Sequence, residues 1–215
     1  MTSFYCLRKS WFDLLQELSV RDLRLSEEIF INLIDRYSEP IRHYHNLEHV
    51  EDILSLVERV KGIASNFSVL QLSAWFHDCI YDPQAKDNEV LSAIYAARVF
   101  ERLNIDSEII DLTTQIILST QSHQPLIETI DCTLFLDADL AILGTTKKRY
   151  FQYARAIRQE YQYLSDRDYC QGRTKVLTQF LDRSKIYYTD YFYEHLETTA
   201  RKNIEAEIKL LERNL

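Results

Sequence analysis

"FSVLQLSAWFHDCIY", residues 67–81, decides the fold. It shows none of the strict apolar/polar alternation of a half-buried strand. Wound as a helix it is apolar on nearly every face, and such a helix belongs in a core. Yet the run carries His77 and Asp78 side by side near its end. A carboxylate in an apolar run is costly if it is ionised and unpaired. It must either hold a proton or find a cation.

The rest of the chain, read outward from this run, is helical. Residues 4–19 and 23–37 form two amphipathic patterns. In the second, Leu23, Leu25, Ile29, Phe30, Leu33 and Ile34 recur near the helical period. "SEP" (38–40) breaks that pattern. A third helix starts near Asn46, an N-cap type of residue. Its stripe is Leu47, Val50, Ile53, Leu54, Val57 and Val60, with His49 beside it. "DPQAKDNE" (82–89) reads as a loop into a helix at 88–103. Another helix covers about 107–121, ending in "STQSHQP". "CTLFLDADLAIL" (132–143) is a second apolar run, closed by Gly144, and its neighbours favour helix over strand. Further helices are expected at 146–163, 166–182 and 194–213.

Composition agrees. Only three glycines and three prolines occur in 215 residues, too few for the tight turns of a sandwich or barrel. The expectation is an all-α chain forming a single domain over 1–215. No 20–50-residue repeat and no Pro- or Ser/Gly-rich linker divides it. Net charge is −8, with one short basic cluster at Lys147, Lys148 and Arg149, so a nucleic-acid partner is not expected. Cys6, Cys79, Cys132 and Cys170 are far apart and form no CxxC pair, which fits free thiols in a reducing, cytoplasmic setting. Neither a signal peptide nor an apolar run of membrane-spanning length is read, so no membrane partner is expected. Oligomeric state stays open.

Metal-ligating residue types fall on several apolar elements. They are His49 with His45 four residues before it, the pair His77–Asp78, and Asp137 and Asp139 inside "FLDADLAIL". His123 follows a helix. No lysine or arginine stands between Arg102 and Lys147, so a cation for the buried carboxylates comes from elsewhere in the fold or is a metal. Imidazoles with carboxylates suit divalent transition metals and manganese. Adjacent helical residues point about 100° apart. His77 and Asp78 can therefore flank one ion only at a helix end or bend. Plainer readings stand beside these. Taken alone, His45/His49 reads first as a surface coincidence and His123 as a loop histidine, while His77–Asp78 reads equally as a hydrogen-bonded structural pair, Arg42 equally as a surface arginine, and Asp137 or Asp139 also as a helix cap.

The order H…HD…D in a helical chain resembles the HD superfamily of metal-dependent phosphohydrolases. The likeness is closer to its small bacterial branch of predicted metal-dependent HD phosphohydrolases. It rests on "RHYHNLEHV" (42–50), "AWFHDCIYDPQAKDNEVLSA" (74–93), "FLDADLAILG" (135–144), "YARAIRQEY" (153–161) and "GRTKVLTQFL" (172–181). The resemblance implies an HD-type helical bundle with added N- and C-terminal helices and a metal-site core at about 42–145. It makes His49, His77, Asp78 and Asp139 the ligands of one divalent ion, with Asp137 competing with Asp139. Manganese is the first choice, with Mg, Zn, Ni, Co or Fe open. Many members place an acid a few positions after the HD pair. Here Tyr81 stands in that place, so Asp82 and Glu89 share the candidacy for general base. The single intervening histidine, His123, favours one ion over two and would face the substrate or a second, weaker site.

These roles imply hydrolysis of a small phosphorylated molecule, a nucleotide being the natural first class. An ion would acidify a water, and Asp82 or Glu89 would orient or deprotonate it. His45 would protonate the leaving oxygen and Arg42 would clamp a phosphate with paired hydrogen bonds. Monoester, anhydride and cyclic diester bonds all fit. Arg155 and Arg158 with Lys147–Arg149 read as an anion-binding face or, more simply, as a solvated helix face. Two other classes stay open. One is a degenerate HD-fold module that binds metal and nucleotide without turnover; the other is an HD-fold di-iron oxygenase.

Overall fold

The computed structural model describes residues 2–213. Among them every regular element is helical. The helices are α1 (Thr2–Glu17), α2 (Leu23–Tyr37), α3 (Leu47–Arg59), α4 (Phe67–Phe76), α5 (Asn88–Arg102), α6 (Ser107–Thr120), α7 (Ile130–Asp139), α8 (Lys147–Glu160), α9 (Asp166–Leu181) and α10 (Asp190–Glu212). A 3₁₀ turn, Leu140–Gly144, continues α7. No helix among the described residues is long and apolar enough to cross a membrane. The chain divides into two compact units, Met1–Leu136 and Asp137–Leu215, and the division falls inside α7.

Local chemistry sets most helix starts. An N-cap side chain satisfies one of the amides that a helix leaves unpaired at its start. Asp22 accepts from Leu25 N (2.9 Å), Asn46 from Glu48 N (2.9 Å) and Asn66 from Val69 N (3.3 Å). Asp106, Thr146 and Ser165 act the same way for α6, α8 and α9.

The first unit is built around α4, whose Val69, Leu70, Leu72, Ala74, Trp75 and Phe76 are all fully buried. Trp75 meets Trp11 of α1 edge-on (5.6 Å between ring centres) and Phe30 of α2 (6.1 Å); Phe76 meets Phe100 of α5 at 4.7 Å. Offset and edge-on geometry is what ring quadrupoles favour. A carboxylate from a distant part of the chain finishes the start of α4. Asp131, on the first turn of α7, accepts from Ser65 N (2.8 Å) and Asn66 N (2.9 Å).

The second unit is held by polar residues as well as apolar ones. Arg173 of α9 pairs with Glu207 of α10 at 2.9 Å, both nearly fully buried, and the Tyr150 hydroxyl of α8 donates to the same carboxylate. A buried charge is tolerated only when paired and hydrogen-bonded in this way. Asn203 donates to the carbonyls of Leu143 and Thr145 (2.9 Å each), which ties α10 to the end of the 3₁₀ turn. Gly144 lies so close to α10 that a Cβ there would sit 2.5 Å from the Leu196 Cβ.

Several expected boundaries move, among them the end of α8, at Glu160 rather than 163. The run at 67–81 is helical only to Phe76 and then turns. α10 starts at Asp190, four residues before the expected 194. The turn matters most, because it places His77 and Asp78 where neighbouring side chains can converge.

Candidate metal centre

His49 is the third residue of α3, held by the Asn46 cap, and is buried. His77 is the C-cap of α4, its own amide donating to Ser73 O (2.9 Å), and Asp78 opens the following turn. His49 Nε2 and His77 Nε2 stand 3.2 Å apart. Asp78 Oδ2 lies 3.1 Å from His77 Nε2 and 3.9 Å from His49 Nε2. Asp139 closes α7, and one ligand atom from each of His49, His77 and Asp139 lies within 4.8 Å of the others. This group could hold a metal ion.

The donor geometry fits an ion. Metal–imidazole bonds of about 2.1 Å give an N···N edge of about 3.0 Å at a right angle and about 3.4 Å at the tetrahedral angle, and the observed 3.2 Å lies between them. His77 Nδ1 sits 3.2 Å from Ala74 O. A carbonyl can only accept, so Nδ1 carries the proton and Nε2 turns its lone pair toward the cluster. An outer partner of this kind orients metal-binding imidazoles. The imidazole side chains are 3% and 1% exposed, whereas Asp78 is 14% exposed and Asp139 is half-buried, so the carboxylates are the solvent-touching members of the group.

Glu89, on the first turn of α5, shares this neighbourhood. Its charge interacts with Asp78, His123 and His45, and partial burial pushes its carboxyl above the usual range. Asp82 is exposed and structures its own loop. Its Oδ1 accepts from Gln84 N (2.9 Å), while its backbone bonds both ends of the Asn88 amide. Of the two base candidates, Glu89 is the one whose charge is felt by Asp78, His123 and His45. His123 has φ = 48°, an uncommon value for a residue other than glycine. Gln121, two residues earlier, donates to Lys86 O (3.1 Å) and joins the end of α6 to the 82–87 loop. His45 stacks on Tyr81 at 4.5 Å between ring centres. Tyr81 thus forms an aromatic wall for His45.

Arg42 requires a correction. Its side chain is fully buried rather than offered to a phosphate. It donates to the Glu39 carboxylate (2.9 Å), His45 O (3.0 Å), Asp78 O (2.7 Å) and Cys79 O (3.3 Å). The Tyr37 and Tyr81 rings lie 5.1 and 5.2 Å from the guanidinium carbon. Arg42 is a strut that joins the loop before α3 to the turn after α4, so it holds His45 and Asp78 in place.

Asp137 also has other work. Its carboxylate accepts from Tyr188 N (2.7 Å), Thr189 N (2.7 Å) and Thr189 Oγ1 (2.6 Å). It anchors Tyr188 and Thr189, the two residues that lead into α10, from a distant part of the chain. Burial pushes its carboxyl up to about 6 against the pull of these donors. Asp139 is accordingly the aspartate that joins the histidines. Asp131, which the sequence does not single out, and Arg42, which it offers only as a phosphate clamp or a surface arginine, are structural supports. Their only signal was a charged residue amid apolar or turn residues.

No family model, curated protein or solved structure matches the chain.

Proposed function

We propose that the protein is a divalent-metal-dependent phosphohydrolase acting on a small phosphorylated molecule, a nucleotide first among the classes to test. The observation that carries this reading is the His49–His77 Nε2 pair, 3.2 Å apart, with carboxylates of Asp78 and Asp139 beside it. The H…HD…D resemblance supplies the reaction class. His49, His77, Asp78 and Asp139 would hold the ion, with manganese the first candidate. A divalent ion there would supply Lewis-acid charge for a phosphoryl oxygen and lower the pKa of a water.

The chain's own groups would do the rest. Ala74 O keeps the His77 lone pair turned inward. Arg42 fixes the backbone on both sides of the cluster. Glu89, partly desolvated and coupled by charge to Asp78, His123 and His45, would orient the attacking water and take its proton. His45, held against Tyr81, would return a proton to the leaving oxygen. His123 would meet the substrate. Four free cysteines, three of them buried, support a reducing, cytoplasmic setting.

The test is metal content by mass spectrometry on protein purified without chelator, wild type against Asp78→Ala, followed by a phosphatase screen with Mn²⁺. One divalent ion per chain, lost in the variant, together with phosphate release, is the expected result. Two irons per chain would move the reading to an oxygenase. An ion without turnover on any phosphorylated substrate would favour the binding module, a reading that the aromatic Tyr81 supports. No metal after soaking with Mn²⁺, Zn²⁺, Ni²⁺ or Fe²⁺ would refute the proposal.

A further inference from the structure

A groove of about 930 Å³ runs along the second unit between α8 and α10. Lys147, Lys148 and Arg155 line it from α8, and Lys209 and Arg213 from α10. Among the described residues no acidic one lines it. Glu205 and Glu212 of α10 lie roughly 90° around that helix from the centre of the lining stripe. The chain as a whole carries −8, whereas residues 137–215 hold fourteen Lys and Arg against twelve Asp and Glu, a balance of +2. Five of those fourteen cations line this groove. Lys147 and Lys148 also open α8, whose first turn has no acid. Cations there oppose the helix dipole, so local helix stability does not explain their placement.

The floor is apolar. Phe151 lies between the α8 cations, and Leu210, 45% exposed, lies between those of α10. Lys147, Phe151 and Arg155 are spaced i, i+4, i+8, and Ala206, Leu210 and Arg213 are spaced i, i+4, i+7. The α8 wall is thus a stripe about 12 Å long and the α10 wall one of about 10.5 Å, from a rise of about 1.5 Å per residue. The bond from Tyr150 of α8 to Glu207 of α10 joins the two walls, and Arg173 of α9 pairs with the same carboxylate. A preformed site loses less freedom on binding.

We propose that this groove docks an acidic amphipathic helix of a partner polypeptide. Its apolar stripe would lie on Phe151 and Leu210, and its flanking carboxylates would meet the cations on both rims. This is the charge complement of the groove and follows the helix-in-groove mode of recognition. An open trough with flexible lysines encloses a small ligand poorly, since small-molecule sites bury most of the ligand surface. A flat anionic membrane would touch the rims and leave the floor uncovered. The inference is independent of the metal centre.

The test uses the full chain and a fluorescein-labelled 18-residue helical peptide with Leu at i, i+3, i+4 and i+7 and Glu on both flanks. A scrambled peptide of equal composition is the control, and the readout is fluorescence anisotropy. Docking predicts that the amphipathic peptide binds about tenfold or more tightly than the scrambled one. It also predicts affinity that falls with added salt. Lys148→Glu/Lys209→Glu should weaken binding about tenfold or more through like-charge repulsion, and Lys148→Arg/Lys209→Arg should preserve it. Leu210→Asp should weaken it comparably. Equal binding of the scrambled peptide, no loss in the charge-reversed variant, or no binding at all would overturn the proposal. So would tighter capture of phosphatidylserine vesicles or inorganic polyphosphate than of the peptide, which would reassign the groove to those anions.

Discussion

Arg42→Ala separates a structural strut from a substrate clamp. The buried guanidinium donates to three backbone carbonyls, those of His45, Asp78 and Cys79, and to Glu39. The Glu39 side chain is 43% exposed, so that pair contributes little. The carbonyl bonds matter more. A hydrogen bond involving a charged group contributes about 1.5–3 kcal/mol, and a buried acceptor left without a partner adds a desolvation cost. Water would enter part of the space that alanine leaves, and the three losses are not independent. The expected destabilisation is about 3–5 kcal/mol. A chain of this length loses about 2–4 °C per kcal/mol, so thermal unfolding of the first unit should fall by about 10 °C. Arg42→Lys should recover only part of this, because an ammonium cannot span three separated carbonyls. The assay is far-UV circular dichroism melting, with bound metal measured in parallel; metal affinity should fall with the loss of order at Asp78. If Arg42→Ala melts within about 2 °C of wild type and instead raises KM for a phosphorylated substrate at unchanged kcat, the strut argument is wrong. Arg42 would then be a phosphate clamp, since such a change marks lost uniform binding.

Mn²⁺ at 100 times its dissociation constant should stabilise the wild type by about 2.7 kcal/mol; calorimetry should show this rise vanish in His77→Ala. Glu89→Gln should lower kcat by about 10²–10⁴ while mass spectrometry finds the metal content unchanged; unaltered turnover would remove Glu89 from the chemistry. Asp137 has a folded pKa of about 6 against an ordinary 3.8, so between those values the folded chain keeps a proton that the unfolded chain has lost. Its contribution is complete below pH 3.8 and is lost as pH rises through about 6, a change on the order of 3 kcal/mol. Urea titrations from pH 4 to 7 should show that decline in the wild type and its absence in Asp137→Asn. Gly144→Ala would place a Cβ 2.5 Å from the Leu196 Cβ. Overpacking of this kind costs about 1–3 kcal/mol, to be read as a lower urea midpoint; an unchanged midpoint would show that α10 shifts freely.

The helical class was legible in the sequence because it follows from local facts. The apolar periods of α2 and α3 and the Asn46 cap involve residues within a few positions of one another, and backbone geometry alone relates them. The isolation of His77–Asp78 in an apolar run was legible for the same reason, and so was the need for a bend there. Which aspartate joins the histidines was not. Asp137 and Asp139 are two residues apart in one helix, and only the distant amides of Tyr188 and Thr189, which Asp137 accepts, distinguish them. Arg42 reads as a surface arginine until the turn after α4, 36 residues on, closes over it. The basic cluster at Lys147–Arg149 reads as a solvated face until Lys209 and Arg213 come alongside. Sequence by itself determined the elements and the residue types available for chemistry, because propensity, capping and amphipathic period act over one or two helical turns. Tertiary structure alone decided which carboxylate, guanidinium and imidazole meet. Burial forces each polar group to find a partner, and the fold selects that partner from residues tens of positions away.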